Sequence, residues 1–290
     1  MPINPNEKTV LVTGATGRQG GAAARSLVAA GFKVRALVRQ PESRAASTLA
    51  RQGVQVAEGN LNDRASIDRA MEGVYGVYSM QTFGKDVDEV GQGKRVADAA
   101  KAANVSHLVY SSGAAVERNV PLPHFQSKWQ IECHIRELAI PNTILRPTYF
   151  MECLWDKNLF PNVGWGILRN ILGNKTRLQM IACDDIGAFV AKSFLDPEHY
   201  VGRAIELAGD ELNHTEAVAA YKAVFGKEPP HFFAPMLLMR FVAKDVHDMF
   251  EWFRESRYVA DIPALRKEHP QLRTLRTFFE EKQRGASPKG

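Results

Sequence analysis

Val10-Leu11-Val12-Thr13-Gly14-Ala15-Thr16-Gly17-Arg18-Gln19-Gly20-Gly21 is a β-branched apolar run that stops at a glycine. Two more glycines follow at three-residue spacing, and the chain then turns alanine-rich. That order predicts a strand, a tight turn and the start of a helix. Gly14 is placed to take positive φ at the turn. Gly17 removes a Cβ where a phosphate would approach, and Gly20 lets the new helix pack close to the sheet. The N–H groups at the helix start, with the helix dipole, make an anion site. Ala15, Thr16, Arg18 and Gln19 complete that candidate site. The spacing is GxxGxxG, not the GxGxxG of the common dinucleotide fingerprint. A strand before and a helix after are the context that favours a cofactor site over a plain turn.

Working outward, 290 residues hold one large α/β domain, or one domain with a smaller appendage. No apolar run reaches the length of a membrane helix. The opening Met1-Pro2-Ile3-Asn4-Pro5-Asn6 lacks the apolar core of a signal peptide. Cys133, Cys153 and Cys183 are odd in number and far apart, with no CxxC. They predict a reduced, cytoplasmic setting, with neither a disulfide framework nor a zinc site. Net charge is +5: residues 1–150 hold 18 Lys/Arg against 13 Asp/Glu, and residues 151–290 hold 19 of each. The surplus therefore sits with the glycine stretch and suits an anionic cofactor. No dense basic run or aromatic-basic interleaving speaks for nucleic acid.

Strands are predicted at Thr9–Thr13, Lys33–Arg39, Val54–Glu58, Val74–Met80, His107–Ser112 and Thr143–Arg146. Helices are predicted at Arg18–Ala30, Pro41–Gln52, Asp63–Met71, Val87–Ala103 and Phe125–Leu138. This alternation at short spacing predicts a parallel sheet covered on both faces, the Rossmann-type doubly wound α/β fold. Its ligands bind at the carboxyl ends of the strands. After Pro147 the rhythm breaks into mixed pieces: Trp155–Leu172, Leu178–Ala182, Asp184–Leu195, Ala204–Leu207, a capped helix from Asn213 to Phe225, and a long apolar helix over Pro235–Phe253. Residues 1–150 thus read as the nucleotide-binding domain. Residues 151–290 read as a smaller α+β substrate or partner lobe, interleaved with the first.

The second strand ends Leu37-Val38-Arg39 and continues Gln40-Pro41-Glu42-Ser43-Arg44. A site built for NAD places an acid near that strand end to bind the ribose 2′-OH. Here Arg39 stands there instead, able to pair with a 2′-phosphate, with Ser43 and Arg44 beside it. The pattern predicts NADP(H).

With these residues, the chain resembles the NmrA-like family, an atypical branch of the short-chain dehydrogenases. The resemblance rests on Gly14-Ala15-Thr16-Gly17-Arg18-Gln19-Gly20, Arg39-Gln40-Pro41, Gly59-Asn60-Leu61, His124-Phe125-Gln126-Ser127-Lys128 and Arg146-Pro147-Thr148-Tyr149-Phe150. It covers nearly the whole chain. It implies NADP(H) on the glycine loop and Arg39, with Asn60 and Leu61 bordering the adenine. Gln81, Thr82 and Phe83 would line the nicotinamide side. Lys128 would reach the nicotinamide ribose, and Tyr149 and Phe150 would wall the nicotinamide. Members of the family include NADPH sensors, and relatives include reductases.

One departure matters. Ordinary short-chain dehydrogenases carry Tyr-x-x-x-Lys, where the lysine lowers the tyrosine pKa and the tyrosine passes the proton. Here the pattern reads His124-x-x-x-Lys128, with Ser111 and Ser112 retained at the end of the fifth strand. Reduction of a quinone or a cationic dye needs a hydride and a stacking slot, and its proton can come from water. Lys128 or His124 could supply it. Two functions stay open: an NADPH-dependent reductase of a small apolar electrophile, and a non-catalytic NADPH/NADP+ sensor acting on a protein partner. His107 reads as structural. Trp165, His231-Phe232-Phe233 and Trp252-Phe253 read as core before substrate slot, Asp184 and Asp185 as helix caps, and Cys133 as a candidate redox site.

Overall fold

The computed structural model describes residues 3–82, 84, 87–118, 120–157, 164–166, 168–230, 248, 251–255 and 258–286. Phe83, His231, Phe232, Phe233 and most of the stretch 235–253 lie outside them. The described residues form two compact units. The first comprises residues 1–146 and 186–205, the second residues 147–185 and 206–290.

In the first unit, parallel strands β1 (Thr9–Thr13), β2 (Lys33–Val38), β3 (Gln55–Glu58), β4 (Gly76–Ser79), β5 (His107–Ser111) and β6 (Asn142–Pro147) lie in the order β3-β2-β1-β4-β5-β6. A strand at Ala204–Leu207 follows β6. Helices α1 (Arg18–Ala29), α2 (Arg44–Arg51), α3 (Arg64–Met71), α4 (Glu89–Ala102) and α5 (Pro123–Glu137) connect them. The order reverses between β1 and β4, the switch point where ligands of such sheets bind.

Alternation along the strands sorts the core. Leu11, Val77, Leu108, Tyr110 and Ile144 pack on one face against Ile67 and Met71 of α3, Val96 and Ala100 of α4, and Ile131 and Ile135 of α5. Over the other face runs the helix Cys183–Leu195. A Cβ at Gly187 would meet the Ala22 carbonyl oxygen of α1 at 2.6 Å, and a Cβ at Gly76 would meet Phe194 at 2.5 Å. Both faces are thus covered, which explains the near-continuous apolar runs.

His107 is structural. It is fully buried, its Nε2 lies 2.8 Å from Thr143 Oγ1, and its ring sits edge-on to Phe194 at 5.2 Å. Burial pushes its pKa down to about 4. The folded state therefore binds fewer protons than the unfolded chain between that value and the free-imidazole value near ~6.5. Stability falls as pH drops through this window, by up to roughly 3 kcal/mol. Urea unfolding of the wild type and of His107→Gln at neutral pH and near the lower limit tests this. The variant is expected to lose much less stability on acidification, and equal losses would remove His107 as the cause.

The second unit carries a small sheet of β7 (Tyr149–Phe150), parallel to Leu178–Ile181, which is antiparallel to Asp210–Leu212. Its core is aromatic. Trp165 is buried and stacks on Phe279 at 6.2 Å, and Trp155 stacks on Phe225 at 5.3 Å. Trp252 and Phe253 are buried too. The helix His214–Phe225 opens on the Asn213/Glu216 capping box and closes on Gly226.

Several local expectations need correction. Arg44, not Pro41, starts α2, because the Ser43 hydroxyl caps it by accepting from the Ala46 N–H at 3.2 Å. Pro123, not Phe125, starts α5; proline suits a first helical position. Asp184 and Asp185 lie inside their helix rather than capping it. The Glu152 carboxylate accepts from the Cys183 N–H at its start, at 3.0 Å. Asp185 is instead a buried hub, bonded to the Arg273 guanidinium at 2.6 Å and to the Arg273 N–H at 3.0 Å.

Candidate functional site

The turn after β1 is built from backbone. Gly14 has φ +65°, and a Cβ on it would strike Met80 Sδ at 2.2 Å. The Gly17 N–H closes the turn on the Gly14 carbonyl at 2.9 Å. Gly17 then stands at the start of α1 without a capping side chain. A Cβ at Gly20 would lie 2.3 Å from the Gly14 carbonyl oxygen and 2.8 Å from that of Thr13. No side chain can move to relieve this contact. Gly20→Ala is expected to destabilise the protein by about 1–3 kcal/mol, read by urea unfolding; an unchanged midpoint would show that the turn can shift. Thr13 braces the turn from β1: its hydroxyl donates to the Met80 carbonyl and accepts the Met80 N–H, each at 2.8 Å.

Thr16 and Gly17 are exposed at the head of this turn, Ala15 is buried beneath it, and Arg18 is half-buried. Gln19 points inward. Its Nε2 donates to Ser111 Oγ, joining the first turn of α1 to the end of β5. The sequence placed Gln19 in the loop and Ser111 at a strand end, but not their bond.

Thr13 faces Leu37 in register and Val38 faces Glu58, so Arg39 emerges between the glycine turn and the end of β3. Arg39 and Arg44 are exposed, and neither has an ionic or hydrogen-bonded side-chain partner among the described residues. Beyond β3, Asn60 is fixed by its N–H donating to Ser66 Oγ at 3.0 Å and by its Oδ1 accepting the Asn62 N–H at 3.0 Å. Leu61 is partly buried against the core.

At the ends of β4 and β5 the site becomes buried and polar. Gln81 is 5% exposed; its Nε2 donates to Ser79 Oγ at 3.0 Å, while its Oε1 has no partner among the described residues. Ser112 Oγ is likewise buried without a partner among the described residues. Thr82 is exposed, and Phe83 lies outside the described residues. The Lys128 stem passes Gly113, where a Cβ would meet its Cδ at 3.4 Å. Lys128 Nζ donates to Glu89 Oε1, and Ser127 Oγ donates to Glu89 Oε2. Glu89 is 6% exposed and sits in the first turn of α4. Its signal is only an acid at a helix start, where the dipole favours one. His124 stands one turn before Lys128 in α5, half-buried and edge-on to Phe125 at 4.8 Å.

Tyr149 and Phe150 belong to the second unit. Tyr149 meets Phe253 edge-on at 6.0 Å. Burial, and then the neighbouring Cys153 thiol, push its phenol well above the ordinary range, so it stays protonated. Burial likewise raises the Cys183 thiol well above its usual value.

The glycine turn, the exposed Arg39 and the buried polar residues after β4 and β5 all lie at the carboxyl ends of the parallel strands. A family model described as the NmrA-like family matches residues 6–279. The chain belongs to the NmrA-like family. It is similar to the NmrA-like family domain-containing oxidoreductase FrzB of Cladobotryum sp, 29% identical over 93% of this chain and 96% of that one. Its fold is similar to that of NmrA, a negative transcriptional regulator solved in complex with NADP (TM-score 0.76, 22% identity, 95% of each chain). It is also similar to the NADPH-dependent quinone oxidoreductase of Escherichia coli solved with NADPH (TM-score 0.75, 22% identity, 94% of this chain and 99% of that one). The NmrA-like chain shares with these neighbours the doubly wound sheet. Among its described residues no helix is long and apolar enough to cross a membrane.

Proposed function

We propose that this NmrA-like protein binds NADP(H) and acts as an NADPH-dependent reductase of a small, flat, apolar electrophile such as a quinone. The observation that carries the cofactor reading is Arg39. An exposed guanidinium without a partner among the described residues stands one residue past β2, beside a turn whose Gly14 and Gly20 leave no room for a Cβ. The buried Gln81 Oε1 and Ser112 Oγ, both without partners among the described residues, fit the polar end of a ligand at the switch point. On this reading Gly14, Ala15, Thr16, Gly17, Arg18, Gln19 and Gly20 hold the pyrophosphate. Arg39, with Ser43 and Arg44, holds the 2′-phosphate; Asn60 and Leu61 border the adenine; and Gln81, Thr82 and Lys128 face the nicotinamide half. Bound NADPH supplies a hydride. Lys128, its ammonium fixed at one corner, keeps further N–H donors for a hydroxyl or an acceptor oxygen.

His124 favours a second reading. Without a tyrosine at that position, a tightly held cofactor can serve as a signal rather than a reductant, and the protein would report the NADPH/NADP+ ratio to a protein partner. Following NADPH oxidation against a panel of naphthoquinones and cationic dyes separates the two. Turnover with a flat acceptor is expected. No turnover with any of them, alongside tight NADPH binding, would establish the sensor reading instead.

A further inference from the structure

We propose that Glu89 is the positioning residue for Lys128, a role that rests on the cofactor reading above. Both oxygens of its carboxylate are used, one by Lys128 Nζ and the other by Ser127 Oγ, so α4 grips two successive residues of α5. The Lys128 side chain is 16% exposed and that of Glu89 6%, so the pair sits out of reach of most solvent screening. Burying a carboxylate is costly unless it is paired and hydrogen-bonded. Glu89 meets both conditions, and it gains from the N-terminal end of the α4 dipole. A lysine on four methylenes otherwise samples many rotamers. Tied at one N–H, its ammonium retains two donors in a fixed direction, next to Gly113 and the end of β5.

In the commoner pattern the lysine shares its site with a tyrosine four residues earlier. Here His124 stands at that position, and the lysine charge is met by a carboxylate from another helix. The Lys128–Glu89 pair is neutral as a whole. It presents directed donors to a ligand hydroxyl pair without adding a net positive charge. Glu89 acts on the ligand only through Lys128.

A double-mutant cycle on the full chain tests this. NADPH dissociation constants are measured by fluorescence titration for the wild type, Glu89→Gln, Lys128→Ala and the double variant. Glu89→Gln is expected to weaken binding about tenfold in the native background and less than about twofold when Lys128 is already alanine. Equal losses in both backgrounds would overturn the proposal, because a merely structural role does not depend on Lys128. Should Glu89→Gln fail to fold, Glu89→Asp, which keeps the charge but withdraws it by one methylene, is run through the same cycle with the same two outcomes. A wild type that binds no NADPH would remove the cofactor reading and this inference together. Binding with additive losses would remove the inference alone.

Discussion

Arg39→Ala is expected to weaken NADPH binding roughly 30- to 100-fold, the range for losing charge-assisted hydrogen bonds to a phosphate. NADH affinity is expected to stay within about twofold. The asymmetry follows from position. Arg39 leaves β2 next to the glycine turn, and no described side chain neutralises it. It is also exposed, so salt screens whatever it holds. The preference for NADPH over NADH should therefore shrink as ionic strength rises, and the variant should lose most of that salt dependence. Arg44 remains in Arg39→Ala and keeps part of the effect, which sets the upper limit. Paired titrations with the two dinucleotides decide the matter. Equal losses for both would place Arg39 on a group that they share.

Glu132→Ala is expected to cost about 3–5 kcal/mol of stability. Glu132 is fully buried in α5. Its Oε1 accepts from Arg146 Nε at 3.0 Å, and its Oε2 accepts from Arg146 Nη2 and Arg136 Nη2, each at 2.7 Å. Arg146, on β6, is 8% exposed and also meets Glu117 at 2.8 Å. Removing Glu132 leaves the buried Arg146 guanidinium still paired with Glu117, which puts the effect toward the lower end of that range. The pair fastens α5, and with it Lys128, to the sheet. Urea unfolding reads the loss. NADPH affinity per folded molecule should change far less than in Arg39→Ala. A stability change under about 1 kcal/mol would mean that the cluster relaxes around the gap.

What could be read from the sequence is what local backbone chemistry dictates. Gly14 and Gly20 announce themselves because a positive φ and a 2.3 Å approach to a carbonyl each demand glycine within a few residues of the strand end. The place of Arg39 just past the end of β2 is legible because the apolar run Ala36-Leu37-Val38 stops there. Glu89 is not legible, since its partner is 39 residues away on another helix, and periodicity reports a face but never a pairing. The Gln19–Ser111 bond, across 92 residues, escapes for the same reason. Asp185 reads as a cap because acids favour a helix start, but its carboxylate is held by Arg273 from the far end of the chain. Pro123 is a start signal for α5, and it places His124 in the helix one turn before Lys128.

The account stands on a dinucleotide whose pyrophosphate meets the glycine turn while Arg39 meets its 2′-phosphate. Phosphorus NMR of NADP+ titrated with the protein observes both groups at once. The account predicts that the pyrophosphate and 2′-phosphate resonances both shift or broaden, and that Arg39→Ala restores the 2′-phosphate signal alone toward its free position. A 2′-phosphate resonance unmoved by the wild-type protein while the pyrophosphate responds would contradict it.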